Sequence, residues 1–148
     1  MADFEVQGLK ELEKALLKLG ATEAVKVLAS AGRKSMKPVL ADAKAGANVK
    51  TGGLLASLGI QVKKGRKAGY GVFINVGTVR KKATKKNGGG KIIGAGRKAL
   101  SQEYGTEKQQ AEPFLRPALD NNASKVLSSL KTDLAAGIEK AAKKLNKG

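Results

Sequence analysis

Side-chain chemistry needs a nucleophile with its base, a metal-ligand set, or a concentration of charge. This chain is poor in the first two and rich in the third. It has no histidine and no cysteine. The first absence removes the base that serine hydrolysis ordinarily uses and the commonest metal ligand. The second removes disulfides and thiolate metal sites. Carboxylate pairs exist as Glu11/Glu13 and Glu103/Glu107. Glu11 and Glu13 stand two apart on a helical stretch and face different ways, so both pairs read as surface charge. Gly94-Ala95-Gly96-Arg97-Lys98-Ala99 looks superficially like a dinucleotide fingerprint. It follows only Ile92-Ile93 and lacks the βαβ unit and the later acidic residue that such a site needs. Gly90-Lys91 has no Ser or Thr after the lysine, so it is no P-loop, and no EF-hand spacing occurs. The expectation is a non-enzyme with no cofactor and no metal.

Charge is the feature that stands out. The net charge is +17, from 29 Lys+Arg against 12 Asp+Glu. No acid occurs between Asp42 and Glu103, and fourteen bases fall in that stretch. They are Lys44, Lys50, Lys63, Lys64, Arg66, Lys67, Arg80, Lys81, Lys82, Lys85, Lys86, Lys91, Arg97 and Lys98. The remainder, with fifteen bases and twelve acids, is nearly balanced. Such asymmetry points to an anionic partner, either phosphate or an acidic protein surface. The residues assigned to that contact are Arg80, Lys81, Lys82, Lys85, Lys86, Lys91, Arg97 and Lys98. Base-specific reading is not expected, because lysine predominates and acts as a point charge rather than a bidentate fork. No helix-turn-helix and no aromatic stacking platform is evident.

The elements that must carry these charges follow from apolar periodicity. Leu9, Leu12, Leu16 and Leu19 repeat at helical spacing between Gly8 and Gly20. Thr22 is placed to cap a second helix over Ala24, Val25, Val27, Leu28 and Ala31. Pro38 should kink that helix or restart it, with Val39, Leu40, Ala43 and Ala47 continuing the apolar face to Asn48. Thr51 to Leu58 reads as a turn into a short helical segment. Ile60 and Val62 alternate with Gln61 and Lys63 at strand period, and Tyr70–Val76 is the best strand. Gly65–Gly69 is the hairpin connection between them. Periodicity stops from Thr78 to Lys98, which reads as a basic, glycine-rich loop, and order resumes over Ala99–Tyr104. Pro117 suits the first turn of a long helix with a stripe of Leu119, Ala123, Val126, Leu127, Leu130, Leu134, Ile138, Ala142 and Leu145. Helices, then strands, then a helix define an α+β class, expected as one domain over 1–148.

Aromatic residues are only 3% and Trp is absent. The core is therefore expected to be Leu, Val, Ile and Ala, with Phe4, Phe73 and Phe114 as rare large anchors. No apolar run approaches the roughly 20 residues that span a bilayer. The acidic start Met1-Ala2-Asp3-Phe4-Glu5 is unlike a signal peptide. The expectation is a protein made in a cytoplasm, with no membrane partner.

Three segments, in order, resemble the tail-completion and neck proteins of long-tailed bacteriophages, the gene-product-ten-like family similar to minor tail protein Z. The first is Phe4-Glu5-Val6-Gln7-Gly8-Leu9-Lys10-Glu11-Leu12, like the family's opening strand, glycine and first helix. The second is Thr51-Gly52-Gly53-Leu54-Leu55-Ala56-Ser57-Leu58, like its Thr-Gly-x-Leu-x-x-Ser signature. The third is Glu103-Tyr104-Gly105-Thr106 followed by Pro113-Phe114-Leu115-Arg116-Pro117-Ala118. Here Gly105 should turn the chain after a strand, Phe114 should anchor it, and the two prolines should stiffen the lead into the last helix. The resemblance implies a virion protein of the phage tail or neck, assembled in the host cytoplasm as a homo-oligomeric ring, a hexamer. It further implies tail-terminator, tail-tube or head-completion proteins as neighbours and genomic DNA in the lumen. The competing reading is a small basic protein that binds nucleic acid without sequence specificity.

Overall fold

The computed structural model describes residues 8–47, 53–65, 71–79 and 95–147. Two glycines with left-handed φ bracket the first helix, α1 (Leu9–Leu19), where the leucine spacing places it. Leu12, Leu16 and Leu19 turn inward, while Leu17, off that spacing, is exposed. Helix α2 (Ala21–Ser35) begins one residue before Thr22. Its first-turn bond runs from the Ala24 N–H to the Gly20 carbonyl, so glycine rather than Thr22 stands at the start. Ala24, Val27, Ala31, Gly32 and Ser35 form its buried face, and the buried Ser35 hydroxyl donates back to Gly32 O at 2.9 Å. Pro38 restarts the helix. After a turn at Met36, α3 (Lys37–Gly46) carries the proline in its first turn, where no N–H is needed, and buries Val39 and Ala43.

A single turn of helix, α4 (Gly53–Ser57), leads directly into strand β1 (Leu58–Lys64), which pairs with β2 (Val72–Thr78). The Val79 N–H bonds Ser57 O at 2.8 Å, and the Gly65 N–H bonds Gly71 O at 2.8 Å. The two strands are therefore antiparallel in one unbroken register, with Gln61 opposite Asn75 and Lys63 opposite Phe73. Ile60, Val62, Ile74 and Val76 share the half-buried face; Gln61, Lys63, Phe73 and Asn75 share the exposed one. Phe73 is thus no core anchor: it is 64% exposed, because it alternates out of phase with the valines and isoleucine around it.

Helix α5 (Ala95–Tyr104) starts four residues before Ala99, so Arg97 and Lys98 stand on a helix rather than in a loop. The 31-residue helix α6 (Leu115–Leu145) closes the chain. Its apolar stripe holds at Leu130, Leu134 and Ile138. It fails at Leu119 and Leu145, which are exposed, and the early part buries Ala118 and Asn122 instead. The class is α+β, with N-terminal helices, a two-stranded antiparallel sheet and a long C-terminal helix.

The chain divides into two compact units. One gathers α1, α2, the hairpin residues Val62–Ile74 and α6 from Ser124 onward. Its core is Val27, Ala31 and Leu134, ringed by Leu12, Leu16, Leu19, Leu28, Leu130 and Ile138. Helices α2 and α6 meet closely there: a Cβ on Gly137 would lie 2.9 Å from Val27 Cγ1. The other unit gathers α3, α4, the remaining hairpin residues, α5 and the start of α6. Its buried residues include Val39, Ala43, Leu54, Leu58, Ala99, Phe114 and Ala118.

Candidate functional site

The residues between Glu103 and Ala118 build a knuckle that joins α5 to α6. The Gly105 N–H caps α5 by bonding Ser101 O at 2.9 Å, and its φ of +76° lets the chain reverse there. A Cβ at this position would also lie 2.9 Å from both Ala111 N and Gln109 O, so only glycine fits. The glycine therefore follows a helix, not a strand as the sequence suggested. Thr106 and Gln109 then exchange two backbone bonds across a tight turn, whose Lys108 N–H points to Thr106 Oγ1 at 3.3 Å. The Glu112 N–H returns to Gln102 O at 2.7 Å and closes the loop.

Glu103 holds the far side. Its Oε2 accepts the N–H groups of Phe114 and Leu115, each at 2.9 Å, and its Oε1 accepts that of Arg116 at 3.0 Å. Three of the orphan donors that begin any helix are satisfied by one carboxylate, which also sits at the positive end of the α6 dipole. Helix α6 has no acid in its own first turn. Partial burial pulls the Glu103 carboxyl upward. The N–H donors of Leu115, Phe114 and Arg116, with the Arg116 charge, outweigh it and hold the group below the usual Glu range. Glu103 is thus a helix clamp, a role the sequence reading missed. The available signal was a carboxylate eleven residues ahead of a Pro-Phe-x-x-Pro helix start with no acid of its own.

Phe114, 3% exposed, is buried as expected. Its Cβ would lie 3.1 Å from a Cβ on Gly46, so α3 ends hard against it. Gln102, buried on α5, donates to Gly46 O at 2.9 Å, and buried Asn122 donates to Asp42 Oδ2 at 2.6 Å and to Ala118 O at 2.8 Å. Tyr104, 70% exposed, and Thr106, Pro113, Arg116 and Pro117 lie on the surface, while Leu54 is buried. Thr51 and Gly52 lie outside the described residues, as does the proposed opening strand at Phe4–Val6.

Of the assigned bases, Arg97 and Lys98 are exposed in the first turn of α5. That turn holds no acid, so both positive side chains add to the positive end of the helix dipole. Arg80, Lys81, Lys82, Lys85, Lys86 and Lys91 lie outside the described residues. Among the described residues no cluster of acids is arranged to hold a metal, and no helix is long and apolar enough to cross a membrane.

The polar groups that converge here fasten helices to one another, and their chemistry is that of a structural component. Residues 10–105 match the family model described as "Bacteriophage HK97-gp10, putative tail-component". The match covers well over half of the chain and ends at the Gly105 turn, before the Phe114 anchor and α6. The chain belongs to this HK97-gp10-like family of phage tail-completion and neck proteins, and as a member it is a structural, non-catalytic protein. No curated protein and no solved structure matches it.

Proposed function

We propose that the protein is one subunit of a homo-oligomeric ring, a hexamer, that completes the phage tail or joins head to tail. The genome passes through this ring. Family membership carries this reading. The sixty residues between Asp42 and Glu103, which hold fourteen bases and no acid, add the second element. Its neighbours are tail-terminator, tail-tube or head-completion proteins. The whole chain, 1–148, acts as a single structural module of the ring.

Arg80, Lys81, Lys82, Lys85, Lys86 and Lys91, with Arg97 and Lys98 on α5, follow the phosphate backbone without reading bases. The exposed Arg97 in the acid-free first turn of α5 supports this. Each phosphate contact adds about 0.9 to the magnitude of the log–log salt slope for duplex binding. Changing the first six residues to Ser flattens that slope and leaves the oligomer intact. Particles lacking the protein are then heads and tails that fail to join stably, and mass spectrometry of wild-type particles finds the chain in fixed stoichiometry. An isolated oligomer with no low-salt affinity for duplex DNA, in a phage whose six-Ser variant still fails to join, refutes the phosphate contact. The same bases then dock on an acidic neighbouring protein. A protein that binds DNA at low salt but is absent from particles supports the simple nucleic-acid-binding reading.

A further inference from the structure

Helices α2 and α6 run antiparallel within one compact unit. Val27 meets Gly137 at their crossing, and the charge of Lys144, near the end of α6, reaches Glu23 near the start of α2. Beside the crossing lies a groove of about 310 Å³, lined by these two helices alone among the described residues. It is open because the residues at its base are small. Ala31, Gly137 and Ala141 form this floor, and all three are buried or half-buried.

The rim is cationic. Lys26, Lys34, Lys140 and Lys144 stand exposed along it, against Glu23 and Asp133. Glu23 is engaged by Lys26 at 2.6 Å, and Asp133 accepts the Ser129 hydroxyl at 3.3 Å. Lys34, Lys140 and Lys144 make no ion pair among the described residues. Lys140 and Lys144, four residues apart, share one side of α6 and flank the Ala141 end of the floor.

A cationic rim over an apolar floor selects an occupant that carries both kinds of group. A nucleic-acid backbone offers an unbroken row of charges, which would meet Glu23 and Asp133 as well as the lysines. A peptide can set discrete carboxylates at the lysines and an apolar side chain over the alanines. A second copy of this chain, at +17, is a poor source of such a segment.

We propose that this groove docks an acidic segment of a neighbouring virion protein, its apolar side chain on the Ala31–Gly137–Ala141 floor and its carboxylates at Lys140 and Lys144. This rests on the reading of the chain as a ring subunit with protein neighbours. The lysines involved lie outside the acid-free middle, so the two surfaces separate by mutation.

Methyl NMR on the full-length protein, labelled at alanine, reads the groove directly. The probe is a short peptide of glutamates around a central leucine. Saturable shifts of the Ala31 and Ala141 methyls are expected, with affinity reduced about tenfold by Lys140→Gln/Lys144→Gln. Replacing the leucine of the peptide by glycine should weaken binding as well. Methyls that do not shift overturn the proposal. So does duplex DNA that binds the same methyls more tightly than the peptide, which would make the occupant phosphate. Peptide binding that appears only after deletion of residues 2–7 also overturns it, because the chain's own acidic N-terminus then fills the groove. In the phage, Lys140→Glu/Lys144→Glu particles should fail to join although the isolated ring stays intact. Second-site changes that rescue them should turn an Asp or Glu of another virion protein into Lys, and so name the partner. Both variants change only exposed residues, and circular dichroism checks that they fold. A folded variant whose ring falls apart, or suppressors confined to this chain's own acids, overturns the proposal in favour of a second copy and leaves the ring reading standing. Absence of the protein from particles removes both.

Discussion

Replacing Glu103 by Ala strips three donors from the start of α6 at once. Loss of a single capping side chain costs about 0.5–2 kcal/mol, and this one is expected at the upper end in a denaturant titration. Gln, which keeps an acceptor oxygen, should lose less. The pH dependence has a definite sign. The folded-state carboxyl lies below its ordinary value of 4.5, so its contribution is complete above that value and is lost as pH falls through the lowered one. Stability of the Glu103→Gln protein should therefore fall less steeply on acidification below about pH 4.5. Phe114 makes the second residue-scale prediction. It is buried against the end of α3, so Phe114→Ala is expected to cost roughly 3–5 kcal/mol in chemical denaturation. A loss under about 1 kcal/mol would contradict its place in the core.

At the scale of elements, helix α6 is fixed by small residues as much as by large ones. A Gly→Ala change inside a helix ordinarily gains about 1 kcal/mol. At Gly137 the added Cβ would meet Val27 Cγ1 at 2.9 Å, and overpacking costs about 1–3 kcal/mol. Gly137→Ala should therefore destabilise the protein or leave it unchanged. Combined with Val27→Ala it should lose less than the two single changes together, with a coupling of at least about 0.5 kcal/mol in a double-mutant cycle. Such tight crossings are not legible in a sequence, whereas much of the element order is. Gly8, Gly20 and Pro38 punctuate the first three helices because their backbone limits are local. Strand alternation also located the hairpin, yet Phe73 was read as an anchor on residue type alone, although the same period puts it on the outer face. The start of α5 was missed because Gly94 and Gly96 argue locally against a helix that tertiary packing imposes. The Glu103 clamp depends on contacts eleven to thirteen residues away and has no periodic signature. The stripe on α6 broke at Leu119 because the early turns bury Asn122, whose amide is satisfied by Asp42 and Ala118.

For the whole molecule, a charge of +17 per copy sets assembly against itself. Bringing several copies together concentrates like charge, which salt screens over a Debye length of about 10 Å at 0.1 M. Without DNA, raising salt should therefore strengthen ring formation while it weakens duplex binding. Sedimentation over a salt series checks the first trend and a filter-binding titration the second. Opposite slopes are expected in the two measurements. Parallel slopes would mean that attractive ion pairs between subunits outweigh the repulsion of their net charge. The six-Ser variant should assemble at lower salt than wild type, since it removes positive charge without removing apolar burial.

The tight turn from Thr106 to Gln109 has a practical consequence. Its residues are exposed, and its shape is held by backbone bonds rather than by side-chain packing. The chain contains no cysteine. A Lys108→Cys variant would thus carry one thiol per subunit, on a surface whose fold does not depend on the side chain replaced. A single fluorophore attached there would bleach in discrete steps, and the number of steps from one particle would count the copies it holds.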